Sequence, residues 1–393
     1  MINKGYYDIE NTIRNHTDCK YIVVYGMRSN GKSFSTLKFL LNEFWDNYKK
    51  GFIKAFGYLR RWSEDIRSTN MSQVFKSLQC DENGINNIDK ITHHEYNAVK
   101  YDKRQFYLVH YDGEGNIDSK LETPIGYVFS LAESERIKST GYPDIKYIMF
   151  EEFISEGLPM VNEFNRYMSV LSTIIRNRDD VTIIMLGNTI NKYNIYFSEF
   201  GFYKAKTQKP NTIDIYEYHS KDGDLKIACE YADIPNKKIK KSNVYFAFND
   251  KNNMITDGSW QIGSYPHLPY YYLPKNIRFT YYIKFDDEVF QCEIIRIKDT
   301  EENKIIKDEV PCTNKDIAFT YIHPKTSNLK YLERDLVFQQ QIDPHPNIRR
   351  KITNSYDDLG RFLYSFFTTE KVFYQDNSVG NAIQSYLQWC LTK

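Results

Sequence analysis

The stretch YIVVYGMRSNGKSFSTLKFLL, residues 21–41, places glycines, a lysine and a serine between an apolar run and an apolar-periodic segment. Gly26 to Ser33 spells G-x-x-x-x-G-K-S. Glycines in such a loop let successive backbone N–H groups converge on phosphate oxygens. The lysine reaches the β- and γ-phosphates, the serine ligates Mg²⁺, and the following helix adds its dipole. The predicted phosphate-binding set is therefore Gly26, Arg28, Ser29, Asn30, Gly31, Lys32 and Ser33, with Ser33 on the metal. Chance alone produces this pattern in a chain of this length with a probability of about one per cent, and the flanking strand and helix signals lower it.

Hydrolysis needs a second, acidic strand. YIMFEEFI, residues 147–154, carries four apolar residues inward and then presents Glu151 and Glu152. They emerge at a strand C-terminus, where open α/β sheets bind ligands. The first acid would hold Mg²⁺ through water and the second would polarise the attacking water; two solvated glutamates are the alternative. In TIIRNRDDVTIIMLGN, residues 173–188, Arg176 or Arg178 is placed to meet a γ-phosphate. In ring ATPases such an arginine usually comes from the neighbouring subunit. A surface ion pair with Asp179 or Asp180 is the competing reading. Asn188 is placed to hydrogen-bond the attacking water or γ-phosphate, or to cap a turn. Asn191-Lys-Tyr-Asn194 lacks the aspartate of a guanine-reading N-K-x-D, which favours ATP. Arg28 and the pair Arg60-Arg61 are further cations, able to meet phosphate, DNA or a carboxylate. Tyr6 and Tyr7 are candidates for stacking on adenine or for simple packing.

Buried strands are expected at 20–26, 54–60, 145–151 and 181–187, and helices at 32–48, 62–79 and 161–176. Residues 104–111 and 125–131, around the turn DGEGN, read as an inserted hairpin. The fold class expected for residues 1–205 is α/β, a P-loop NTPase domain of the additional-strand, catalytic-glutamate class. The extra strand is the one at 54–60, between the P-loop and acidic strands. Residues 206–264 are turn-rich and read as a linker or lid region. Residues 265–393 read as a second α/β domain that starts with strands and ends in an amphipathic helix near Asn381–Leu391.

The 393 residues suffice for two or three domains. Lys+Arg 52 against Asp+Glu 51 gives no global pull toward polyanions, so DNA must be met by local patches. The 33 Tyr and 25 Phe fit strand packing as well as stacking. Six cysteines without C-x-x-C or zinc-ligand spacing read as reduced thiols. The N-terminus lacks an apolar signal region and no segment has the apolar length of a membrane span. A soluble, cytosolic protein without membrane contact is the expectation.

The order GMRSNGKS, YLRRW, SERIKSTGYPDIKYIMFEEFI, TIIRNRDDVTIIMLGN resembles the DNA-packaging (encapsidation) ATPases of small Picovirinae-type tailed phages, relatives of the large terminases. The motifs cover about the N-terminal half; GRFLYSFFTTEKVFYQDNSVGNAIQSYLQWC is similar more loosely. The resemblance implies Walker A at Gly26–Ser33, with Arg28 where terminases also place an arginine. It implies Walker B at Phe150-Glu151-Glu152, with Glu152 the catalytic carboxylate and Glu151 on the metal. Arg176 takes the arginine-finger position, and Lys138 corresponds to a lysine that reaches a neighbour's site. The family usually carries Asp where this chain has Glu151, one methylene longer.

The family's C-terminal domain resembles an RNase H-like nuclease without catalysis. RFTYYIKF has no carboxylate for two-metal chemistry, and Asp286 and Asp287 fall in a turn. Such a domain would bind DNA, the portal or a packaging RNA. The candidate contacts are Lys237, Lys238, Lys240, Lys241, Arg349, Arg350 and Lys351, or else these are solvated faces. The resemblance implies an ATP- and Mg²⁺-dependent translocase of double-stranded DNA that works as a homo-oligomeric ring, pentameric in the family, in the host cytoplasm on the procapsid portal. A P-loop kinase, a terminase with active nuclease and a non-catalytic procapsid scaffold are the rivals.

Overall fold

A computed structural model describes residues 7–138, 140–154, 160, 162–189, 194–205, 207–221, 223–232, 265–268, 272–297, 317–325, 335–353 and 358–392. The chain divides into two compact units between residues 261 and 262.

In the first unit, β1 (Tyr21–Gly26) is buried at every residue, as expected of a strand covered on both faces. Its side chains alternate. Ile22 and Val24 join one core with α1 (Ile9–Asn15) and α2 (Lys32–Tyr48), whereas Tyr21, Val23 and Tyr25 join a second core on the opposite face. The second core is completed by α6 (Glu163–Ile175) and α7 (Ile195–Phe200), counting the short turns α3 (Ser68–Met71), α4 (Lys76–Gln79) and α5 (Asn87–Ile91) in between. On α6 the buried stripe is Tyr167, Val170, Leu171 and Ile174, one face at helical spacing. Each such side chain contributes about 1.5–3 kcal/mol by leaving water.

The other strands are β2 (Ala55–Arg60), β3 (Ala98–Asp102), β4 (Gln105–Tyr111), β5 (Ile117–Lys120), β6 (Gly126–Ser130), β7 (Ile145–Glu151), β8 (Thr182–Asn188), β9 (Thr212–Ser220) and β10 (Gly223–Ala232). Their order is β3-β4-β6-β2-β7-β8-β1-β10-β9, with β5 on β4. The stretch from β6 to β10 is parallel throughout, while β9 and β4 add antiparallel edges. The fold of this unit is thus mixed α/β around a large, parallel-rich sheet.

Four expectations change. The strand that separates β1 from the acidic β7 is β8, and 54–60 lies on the far side of β7. The helix expected over 62–79 is broken into bends and the turns α3 and α4. Its Ser, Thr and Asn residues bond locally, as in Asn70 Nδ2 to Glu64 O at 3.1 Å. The expected hairpin partners do pair antiparallel, but only at Gln105–Tyr127 and Phe106–Gly126; DGEGN turns β4 into β5 instead, and β6 runs parallel beside β2. The 206–264 stretch is not all linker, since residues 212–232 form the β9–β10 hairpin that extends the sheet beyond β1. Residues 233–264 lie outside the described residues.

In the second unit, β11 (Ile277–Phe285), β12 (Glu288–Ile297) and β13 (Ile317–Pro324) form an antiparallel meander. β14 (Val337–Gln339) and β15 (Ile348–Arg349) add in parallel beside β11, and β16 (Val372–Tyr374) adds in parallel beside β13. Asp286 (φ 51°) and Asp287 (φ 66°) both take the left-handed conformation that a two-residue hairpin turn demands. Helix Asn377–Thr392 buries Val379, Ala382, Ile383, Tyr386 and Cys390. Its Tyr386 hydroxyl accepts from Ile352 N at 3.1 Å and donates to Arg350 O at 3.2 Å. Among the described residues no helix is long and apolar enough to cross a membrane.

Candidate active site

The loop between β1 and α2 is built as a cradle. Ser29 (φ 59°) and the helix-capping Gly31 (φ 97°) are left-handed, which turns the backbone sharply into the helix. Gly26 has a separate reason to lack a side chain. A Cβ there would lie 1.9 Å from Ala232 O, because β10 pairs against it. Asn30 is buried and locks the loop to the same strand, Nδ2 donating to Ala232 O at 3.2 Å. Its own carbonyl accepts from Tyr7 N at 2.9 Å.

Lys32 is only 5% exposed. Its ammonium donates to Met27 O (2.7 Å), Asn30 Oδ1 (3.0 Å), Gly26 O (3.3 Å) and Asn188 Oδ1 (3.4 Å). These four acceptors are neutral oxygens, and a buried ammonium at the start of a helix is placed to meet an incoming anion. Asn188 stands opposite Gly26 in the β8–β1 register, and Thr189 N donates to Gly26 O at 3.1 Å.

One strand over, Glu151 ends β7 opposite Leu186 of β8. Its carboxylate accepts a hydrogen bond from the Tyr58 hydroxyl of β2 and lies 3.8 Å from the Arg60 guanidinium. Burial, then the Glu151 charge, pushes the Tyr58 hydroxyl well above its usual pKa, so it stays a donor. Glu152 follows with φ 57°, a left-handed conformation that a glutamate rarely takes and that costs about 1–3 kcal/mol. Arg60 Nη2 donates to its Oε2 at 2.8 Å, while Arg60 Nε is 3.6 Å from Asp65. One guanidinium thus meets three carboxylates. Arg61, the next residue, points into the protein. Its Nε donates to Glu163 Oε1 (2.9 Å) and its Nη2 to Phe153 O (2.9 Å). Glu163 also accepts from Tyr196 (2.8 Å) and Met160 N (2.8 Å). This buried clamp fixes the chain just after Glu152.

The strand ends therefore bring Gly26–Ser33, Glu151, Glu152 and Asn188 to one edge of the sheet. The Ser33 hydroxyl, at the first turn of α2, and a Glu151 oxygen are hard donors of the kind Mg²⁺ takes. Other expected residues lie apart. Arg176, left-handed at the end of α6 (φ 53°), donates from Nη2 to Thr140 O at 3.0 Å. Arg178 donates to Pro143 O (2.8 Å), Ile145 O (2.7 Å) and Ile174 O (2.8 Å), so it braces the entry to β7. Lys138 is exposed and paired with Glu135 at 2.6 Å. The Tyr7 hydroxyl donates to Glu230 at 2.7 Å, which ties the ring to β10 and counts against its stacking on a base; Tyr6 lies outside the described residues. Lys237, Lys238, Lys240 and Lys241 also lie outside them. Arg349 lies on β15, and Lys351 follows it after Arg350. Arg350 donates from Nε to Gln340 O at 3.2 Å and sits 5.7 Å from the centre of the Trp389 ring. Tyr58 and Glu163 were not foreseen, because their roles depend on strand order and on a partner 102 residues away.

A profile of the Podovirus DNA encapsidation protein (Gp16) matches residues 2–219. The DNA packaging proteins of Bacillus phages PZA and phi29 are each 28% identical over 194 residues, 49% of this chain and 49% of theirs. The DNA packaging protein of Bacillus phage B103 is 26% identical over 250 residues, 58% of this chain and 68% of its own. The match thus spans about half the length of the PZA and phi29 proteins. Among solved structures, a chain of the bacteriophage Phi-29 viral genome packaging motor assembly has 18% identity and a TM-score of 0.51, with 98% of this chain and 99% of that one covered. That is a likeness of fold. With more than half of its residues inside the profile, this chain belongs to the Podovirus DNA encapsidation protein (Gp16) family.

Proposed function

We propose that this protein is the ATPase of a genome-packaging motor, moving double-stranded DNA into a phage procapsid through its portal. The observation that carries the proposal is the common sheet edge. It joins a phosphate cradle with a buried lysine to two glutamates on the next strand but one. That is what ATP hydrolysis requires and what a pure scaffold does not. In this reading Lys32 and the loop N–H groups bind the phosphates, and Asn188 orients the terminal phosphate or the attacking water. Glu152 accepts a proton from that water. Ser33 and Glu151 would hold Mg²⁺, which when bound neutralises phosphate charge. The first unit is then a P-loop NTPase domain of the additional-strand, catalytic-glutamate class, with β8 as the added strand.

The second unit is read as RNase H-like, supported by a three-strand meander flanked in parallel by β14 and β15. Its hairpin aspartates leave it without a first-strand carboxylate, which supports binding over cleavage. Sequence-independent DNA contacts fall to Arg349, Arg350, Lys351 and the lysines at 237–241, with a packaging RNA as a further partner. Arg176 and Lys138 act in trans on a neighbouring subunit of a ring, pentameric as in the family. Arg176 then exchanges its bond to Thr140 O for a neighbour's phosphate. ATP hydrolysis measured with and without linear duplex DNA and purified procapsids tests the proposal. Stimulation by both is expected, and turnover indifferent to either would overturn it.

A further inference from the structure

Beside the cradle lies a cavity of about 280 Å³ whose walls include Ser29, Gly31 and Phe34 on one side and Ser77, Cys80 and Asn83 on the other. Two of these residues belong to the phosphate loop itself, so the cavity opens from the anion site. We propose that it receives the nucleoside of the triphosphate and that the 77–83 segment selects the base. The inference rests on the nucleotide reading above and assigns that site its second half.

Size, charge and rigidity support it. Ligand cavities span roughly 300–1,000 Å³, so this one takes a single base with its sugar and little more. Asp81, which also lines the cavity, is a carboxylate that repels phosphate. The charged end of a nucleotide is thereby directed to Lys32, and the uncharged end to the cavity. The wall is also held in place. Asp81 Oδ1 accepts from Asn83 N (2.9 Å) and Ile85 N (3.0 Å), its Oδ2 accepts from Asn87 Nδ2 (3.1 Å), and Gly84 N returns to Asp81 O (2.9 Å). Phe34 supplies a flat apolar surface next to the phosphates. Asn83 is exposed and carries both a donor and an acceptor, the pair that an adenine edge with its ring nitrogen and amino group requires.

Cys80 supplies the reporter. It is exposed, while Cys19, Cys229, Cys292 and Cys390 are buried. The full chain is alkylated with N-ethylmaleimide and each cysteine peptide is quantified by mass spectrometry. Saturating Mg-ATP is expected to slow Cys80 alkylation by about tenfold. Tripolyphosphate fills the cradle alone and is expected to change the rate less than about twofold. Asn83→Ala and the cavity-filling Ser77→Trp, both at exposed positions, should weaken ATP binding by about tenfold and leave tripolyphosphate binding unchanged. If ATP displaces tripolyphosphate yet leaves Cys80 equally reactive, the cavity assignment fails and the cradle stands. Equal protection by tripolyphosphate would mean that the loop closes without a nucleoside inside, which also overturns the assignment. If neither ligand binds, the nucleotide reading falls and this inference with it.

Discussion

The buried clamp between Arg61 and Glu163 makes a quantitative prediction. Glu163 is 0% exposed and Arg61 7%, so neither charge has water to fall back on. Arg61→Met leaves a carboxylate with two of its three donors in an apolar core, and Glu163→Leu leaves a guanidinium without its carboxylate, held by neutral partners such as Phe153 O. Breaking one partner of a buried pair costs about 3–5 kcal/mol. That is much of the roughly 5–15 kcal/mol that holds a domain folded. The double variant Arg61→Met/Glu163→Leu removes both charges and should recover at least about 1.5 kcal/mol of the summed loss. Urea unfolding of the four proteins, followed by tryptophan fluorescence and analysed as a double-mutant cycle, reads this directly. Single losses below about 1 kcal/mol, as for a surface pair, or strict additivity would refute the clamp.

Gly26→Ala should abolish nucleotide binding and lower thermal stability, because its methyl would overlap Ala232 O at 1.9 Å; a normally folded, ATP-binding variant would contradict this. Arg60→Ala removes the tether on Glu152, whose side chain is 52% exposed. A pair so exposed holds by about 0.5–1 kcal/mol, so DNA-free ATP turnover should rise by about two- to fivefold; unchanged turnover would count against it. Burial raises the Glu230 carboxyl above its usual pKa, although Tyr7 and Thr12 hydrogen bonds oppose the shift. A raised folded pKa gives stability that is present in acid and lost as pH rises through that pKa. Glu230→Gln should therefore melt higher than the parent near neutral pH, with the gap closing below the ordinary carboxylate range. A pH-independent gap in melting temperature would refute it.

The strands β1, β2, β7 and β8 were legible to within a residue or so, since strands buried on both faces are written as continuous apolar runs. The edge strands were harder. β9, TIDIYEYHS, is largely exposed, and with its partner it reads as linker because the turn SKDGD has the same polar texture. Short-range motifs are legible as patterns, because GMRSNGKS and FEE each consist of adjacent residues. What the sequence withheld was pairing across distance. Nothing near Tyr58 announces that its hydroxyl meets Glu151, and Arg61 and Glu163 are joined only once β2 lies beside β7 and α6 begins over their ends. Gly26 illustrates both sides. Its place in the motif was plain, but the steric reason for it comes from β10.

The most direct test of the account compares Glu152→Gln with the unaltered protein for ATP binding and for turnover in the presence of duplex DNA. The account predicts near-normal affinity with turnover reduced by about 10²–10⁴-fold, and no binding in Lys32→Ala. Undiminished hydrolysis by Glu152→Gln would contradict it.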